Sequence, residues 1–156
     1  MLRLSKKADY ALLAVRHLAA HGDREATSAR ELAESYDIPQ ELLAKVLQKR
    51  VRGGVLESRQ GIRGGYGLAR SAATISVADI IQAVDGPLTV TACSETDSTC
   101  GQYSKCNIRD PLWHIKDRIV AALAATSVAE LAADLLPAAV SSTAPVMVVR
   151  KHDHRH

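Results

Sequence analysis

The run IPQELLAKVLQKRVRGGVLESRQGIRGGYGLAR, residues 38–70, constrains the fold more tightly than any other part of the chain. Pro39 suits a first helical position, and Leu42, Leu43, Val46 and Leu47 repeat as the apolar stripe of one helix. Gly53-Gly54 stops it. Val55 to Ser58 and Tyr66 to Ala69 then read as two strands around a glycine-rich tip, a β-hairpin. Just upstream, TSARELAESYDI sets Glu31 three residues after Ser28, the spacing of a capping box that starts a shorter helix. Only Tyr36 to Ile38 separate the two helices, which makes a helix-turn-helix. Before it, LSKKADYALLAVRHLAAHG predicts a helix capped by Ser5 and ended near Gly22, with Tyr10, Leu13 (with Ala14), His17 (with Leu18) and Ala20 on its apolar side. Helix, helix-turn-helix, hairpin is the winged-helix order.

Downstream, Ser76 and Asp79 start a short helix, SVADIIQAVDG, that Gly86-Pro87 ends. Asp110-Pro111 reads as the N-cap and first position of a longer helix, in which Leu112, Ile115, Ile119, Ala122 and Thr126 recur in steps of three and four. Such a seam fits a helix packed on a partner helix, expected in a second subunit, with packing on its own domain as the alternative. Ser127 and Glu130 cap a final helix through Leu136. The expected class is mainly α with a small β-hairpin. It divides into a winged helix-turn-helix domain over 1–72, a connecting helix over 73–90, a cysteine loop over 91–109, dimerisation helices over 110–136 and a loose tail over 137–156.

Charge points to a polyanion. Residues 1–70 hold 13 Lys and Arg against 8 Asp and Glu, while 71–156 hold 7 against 9. The exposed face of the third helix offers Gln40, Glu41, Lys45, Gln48, Lys49 and Arg52. Gln reads adenine edges in the major groove, Glu accepts from cytosine, and Lys and Arg mostly take phosphates. The tip RQGIRGG presents Arg59 and Arg63, which suit a narrow, A·T-rich minor groove. Ser5, Lys6 and Lys7 are further phosphate contacts, with Lys6 the best placed.

All three cysteines fall in CSETDSTCGQYSKC, residues 93–106. The start MLRLSKKADY has charges where a signal peptide needs an apolar run, and Ile119 to Val140 is broken by polar residues and Pro137. A cytoplasmic protein without membrane contact is expected, with its thiols reduced. Thiolates bind iron–sulphur clusters and zinc, and the C-x6-C-x5-C spacing is wider than a zinc-ribbon knuckle. From spacing alone a cluster, a zinc ion and a thiol switch all stay open. No nucleophile–base pair, phosphate loop or paired carboxylates appear, so an enzyme is not expected. A non-regulatory cluster carrier is the alternative from another class, but it has no use for a basic wing.

The segments RLSKKADYALLAVRHLA, residues 38–70, SVADIIQAVDG and the cysteine triplet together resemble the IscR/NsrR type of bacterial regulator, the Rrf-two family. The resemblance runs from Met1 to about Leu136 and implies a homodimeric repressor on a palindromic double-stranded operator. It also implies a 2Fe–2S or 4Fe–4S cluster on Cys93, Cys100 and Cys106 that senses iron–sulphur status, redox or nitric oxide. Three positions depart from the family pattern. Arg109 stands where cluster-binding IscR-like members have histidine, Gln60 where most wings have arginine, and Ala44 where IscR-like proteins have a promoter-discriminating glutamate. The N-terminus is closer to the branch that controls iron–sulphur assembly genes of the SUF type. Arginine stays protonated and cannot coordinate. Asp9 matches the position from which NsrR-like members reach the partner subunit's cluster, and His114 and His17 are the lesser candidates for a fourth ligand.

Overall fold

The computed structural model describes residues 3–22, 26–89 and 100–133, with the backbone alone at 50–52. Cys93, Leu136 and the tail over 137–156 lie outside the described residues.

Helix α1 spans Lys6–His21 behind Ser5, whose hydroxyl accepts from the Ala8 N–H at 3.1 Å. Its wholly buried side is Ala8, Ala11, Ala14, Val15 and Leu18. The stripe expected from sequence is borne out in part: Ala14 and Leu18 face the core, Tyr10, Leu13 and His17 are half-buried on a flank, and Ala20 is exposed. Alanine explains the difference. With no side chain beyond Cβ, it lets other helices approach closely, so the small side of α1 faces its neighbours.

Helix α2, Ala29–Tyr36, has the full capping box: Ser28 Oγ accepts from Glu31 N–H at 3.1 Å and Glu31 Oε2 from Ser28 N–H at 2.8 Å. Asp37 ends it in the left-handed region (φ 51°), and the N–H of buried Ile38 returns to the Ala33 carbonyl at 3.0 Å. Helix α3 is Gln40–Arg52. Pro39 stands one place before it rather than at its first position, and its carbonyl accepts from Leu43 N–H at 3.0 Å. Leu43, Val46 and Leu47 are buried, with Leu42 half-buried beside them.

The hairpin pairs β1, Leu56–Arg59, with β2, Gly65–Leu68, each within a residue of the expected strand, in the register Leu56 with Leu68 and Arg59 with Gly65. Thr27 adds a one-residue third rung on the other edge of β2, beside the four β1–β2 pairs, exchanging two backbone bonds with Tyr66 at 3.0 and 2.8 Å and tying the hairpin to the start of α2. Only glycine fits at 65, because a Cβ there would lie 2.5 Å from the Thr27 carbonyl.

Helices α4 (Val77–Asp85), α5 (Arg109–Ala125) and α6 (Val128–Ala132) complete the described chain. Ser76 with Asp79 and Ser127 with Glu130 each form a capping box, and the two boxes lie back to back. Val77 N–H donates to the Thr126 carbonyl at 2.9 Å and Val128 N–H to the Ile75 carbonyl at 2.8 Å. Val128, Ile75 and Ile80 join Val15, Leu32, Leu43, Leu47 and Leu56 in one buried core. Arg16 Nε seals α1 to α6 by donating to the Leu131 carbonyl at 2.9 Å.

The start of α5 differs from expectation. Ile108 takes the cap position without a side-chain bond, Asp110 sits in the first turn, and Pro111 occupies a place whose N–H would be unpaired anyway. None of the residues of α5 is buried. Among the described residues, no helix is long and apolar enough to cross a membrane.

Candidate nucleic-acid interface and thiol site

Burying Leu43, Val46 and Leu47 turns the opposite face of α3 outward, where Gln40, Glu41, Lys45, Gln48 and Lys49 are all exposed. The side chain of Arg52 lies outside the described residues. Between α3, the start of α1 and the end of α4 runs a groove of about 860 Å³. Lys6 and Lys7 line one wall and Lys45, Gln48 and Lys49 the other, with Leu42 and Val46 between. Sequence reasoning named Ser5, Lys6, Lys7, Lys45, Gln48 and Lys49 as DNA contacts and missed Asp85, which shares the groove. An acid at a helix C-terminus opposes the helix dipole, and that was the available signal.

The wing arginines differ from each other. Arg59 is not on the tip but closes β1, donating from Nε to Glu57 Oε1 at 2.8 Å. Its guanidinium covers Gly67, where a Cβ would lie 3.0 Å from Cζ. Arg63 is exposed on the tip beside Glu31, next to the fully exposed Ile62. The N–H and hydroxyl of Ser28 hold the Glu31 carboxyl below its ordinary range, and Arg63 adds a smaller push in the same direction.

Of the thiols, Cys100 is exposed and Cys106 half-exposed, at the two ends of a loop that contains one 3-10 turn, Tyr103–Lys105. Tyr103 N–H donates to the Cys100 carbonyl at 2.9 Å. Arg109 braces this turn: its guanidinium lies 4.4 Å from the Tyr103 ring centre and 5.3 Å from that of Trp113, and Nη1 donates to the Tyr103 carbonyl at 3.4 Å. Its bond to Asp110 raises its already high pKa, with a further electrostatic contribution from Cys106, so it is a fixed cation beside the thiol site.

Among the described residues no three His, Cys, Asp or Glu side chains are grouped as a metal site. Asp9 lies in the first turn of α1 beside Arg3, Leu4 and Lys6. His114 is exposed on α5. His17 is committed elsewhere, with Nδ1 3.0 Å from the Tyr36 hydroxyl and its ring stacked 4.0 Å from that of His21. Burial lowers its pKa, as does His21, while Glu31 opposes the shift.

The family model described as Rrf2, iron-dependent transcriptional regulator, matches residues 4–134. The chain belongs to the Rrf2 family. Its relatives include the NsrR repressor of Streptomyces coelicolor, 32% identical across 85% of this chain and 89% of that one. The IscR regulator of Xenorhabdus nematophila is 30% identical across 83% and 79%. Two regulators of Mycobacterium tuberculosis are 36% identical over 87 residues, and there the match spans only about half of the relatives' length, 54%. Among solved structures, the Rrf2 fold here is similar to CymR, the global cysteine regulator of B. subtilis, with TM-score 0.71, 25% identity and coverage of 86% and 98%. It is also similar to T. potens IscR, with TM-score 0.68, 25% identity and coverage of 86% and 88%. The mainly helical winged-helix class expected from sequence is the class of these regulators.

Proposed function

We propose that this Rrf2 protein is a cytoplasmic, homodimeric repressor that reads a palindromic operator and senses iron–sulphur status, redox or nitric oxide through a cluster on Cys93, Cys100 and Cys106. Genes for iron–sulphur assembly are its expected targets. The observation that carries the reading is the pairing of a lysine-lined groove against α3 with two accessible thiols beside a braced turn, in a family described as iron-dependent. The donor chemistry fits the group. Soft thiolates are the ordinary ligands of iron–sulphur clusters, and Arg109 sets a fixed positive charge beside the turn without coordinating. When bound, the cluster supplies a redox- and ligand-sensitive centre.

The chain's own residues do the rest. Lys6, Lys45, Lys49 and Arg52 take phosphates, Gln40, Glu41 and Gln48 face base edges, and Arg63 and Arg59 serve the wing. Asp9 of the partner subunit is the proposed fourth ligand. Dimerisation would use α5, whose Ile115, Ile119 and Ala122 line an exposed hollow with Arg118 and none of whose residues the chain itself buries.

Anaerobic purification tests the sensor. Visible absorption with stoichiometric iron and sulphide, lost on single Cys93→Ala, Cys100→Ala or Cys106→Ala replacement, supports it, whereas colour surviving all three removes it. A second reading, a thiol redox switch, is favoured by the exposed Cys100 and by the similarity to a cysteine regulator. It predicts no iron, and operator affinity that responds to peroxide and thiol reductant.

A further inference from the structure

Among the groups lining the groove between α1 and α3, Asp85 stands out as a carboxylate among four lysines. It is the last residue of α4, and both of its oxygens face the start of α1. Oδ1 accepts from the Ser5 hydroxyl at 2.5 Å, and Oδ2 from the Ser5 N–H at 3.3 Å. Its own helix disfavours an acid at that end, so its support comes from outside, from Ser5 at the positive end of α1, with Lys6, Lys7, Lys45 and Lys49 lining the same groove. An N–H and a hydroxyl at a helix start, flanked by lysines, form the donor set that a phosphodiester takes. The carboxylate therefore holds groups that the DNA backbone would otherwise engage.

We propose that Asp85 is an affinity-limiting residue of the DNA interface, an internal anion that competes with a backbone phosphate for Ser5 and the surrounding lysines. The proposal rests on the DNA-binding reading. It separates two contributions of the contact that sequence position alone does not distinguish. Ser5 already caps α1 through Ala8, so the cap remains when Asp85 is neutralised. What changes is a fixed negative charge inside a phosphate-binding groove.

The test is fluorescence anisotropy of the purified full chain on a short random-sequence duplex, titrated across a salt series, which reads phosphate contacts without knowledge of the operator. Asp85→Asn keeps the shape and loses the charge; Asp85→Ala is the second variant in case the amide disturbs the start of α1. Each variant is first checked for an unchanged melting transition. Gaining one phosphate contact steepens the dependence of log affinity on log salt by about 0.9, which corresponds to about eightfold tighter binding at 0.1 M salt. Asp117→Asn, an exposed acid of α5 beside Lys116, removes the same net charge outside the groove and is expected to leave the slope unchanged. Ser5→Ala keeps the carboxylate in place and is expected to give no gain. Equal gains from Asp85→Asn and Asp117→Asn, or no gain from either Asp85 variant while wild type binds, overturn the proposal and leave DNA binding intact. Failure of folded wild type to bind any duplex removes both.

Discussion

Replacing Gly65 with alanine tests whether the wing is held by the backbone of residue 27. The new Cβ would lie 2.5 Å from the Thr27 carbonyl carbon and oxygen, both backbone atoms, so no side chain can yield to admit it. Either β2 or the Thr27 strand must retreat, and the two bonds between Thr27 and Tyr66 go with it. Two hydrogen bonds contribute about 0.5–1.5 kcal/mol each, and forced overpacking costs about 1–3 kcal/mol, part of which retreat relieves. The net loss is about 2–4 kcal/mol, which lowers Tm by about 4–16 °C for a chain of 156 residues. Thermal unfolding by circular dichroism measures it, with Gly101→Ala as the control, since a Cβ at Gly101 meets nothing within 4 Å. Duplex affinity should fall as well, because Arg63 loses its anchored base. A Gly65→Ala protein that melts within about 2 °C of wild type refutes the assignment of Thr27 as the third rung.

Val128→Ala should cost about 2–3 kcal/mol in urea unfolding, from two buried carbons and the cavity they leave, because Val128 closes the core beneath α1. Asp37→Val should cost about 1–2 kcal/mol in the same assay, since a β-branched residue fits poorly at φ 51°. His17 has a folded pKa below its ordinary 6.5, so between the two values the unfolded chain binds more protons. Tm should therefore drop as pH falls below about 6.5, and His17→Gln should flatten that slope even if it lowers the plateau. Glu130 is depressed by its bonds to Ser127, so its stabilisation is present above about 4.5 and is lost as pH falls through the lower folded value. Glu130→Gln should reduce that acid sensitivity in a pH series of melting curves.

The helix-turn-helix and wing were legible because their signals are local. Ser28, Glu31, Gly53, Gly54 and the glycines of the tip act on neighbours two to four residues away. The face of α1 was harder to read. Spacing placed Ala14 and Leu18 on the apolar side but passed over Ala8 and Ala11, which turn inward because close approach needs small residues. The start of α5 was misplaced for a related reason: Asp110 and Pro111 satisfy the rules for a helix start in either of two registers. Arg109, held by Tyr103 and Trp113, belongs to the helix in the register adopted. Nothing in the sequence pairs Ser5 with Asp85, 80 positions away, because spacing carries no information about partners on different elements. The thiols were legible as candidate ligands from residue type alone, whereas spacing does not name a fourth ligand, and among the described residues no three His, Cys, Asp or Glu side chains are grouped.

The seal between α1 and α6 sets an order of events at the ribosome. Arg16 bonds to a carbonyl 115 positions later, and Val128 fills the core against which Val15 packs. At synthesis rates of about 5–20 residues per second, the first helix waits about 6–23 s for its last neighbour. During that interval every cysteine is made. The core shared by α1 and α6 thus closes only after the thiol segment has been made, so translation order puts the cysteines ahead of the finished core.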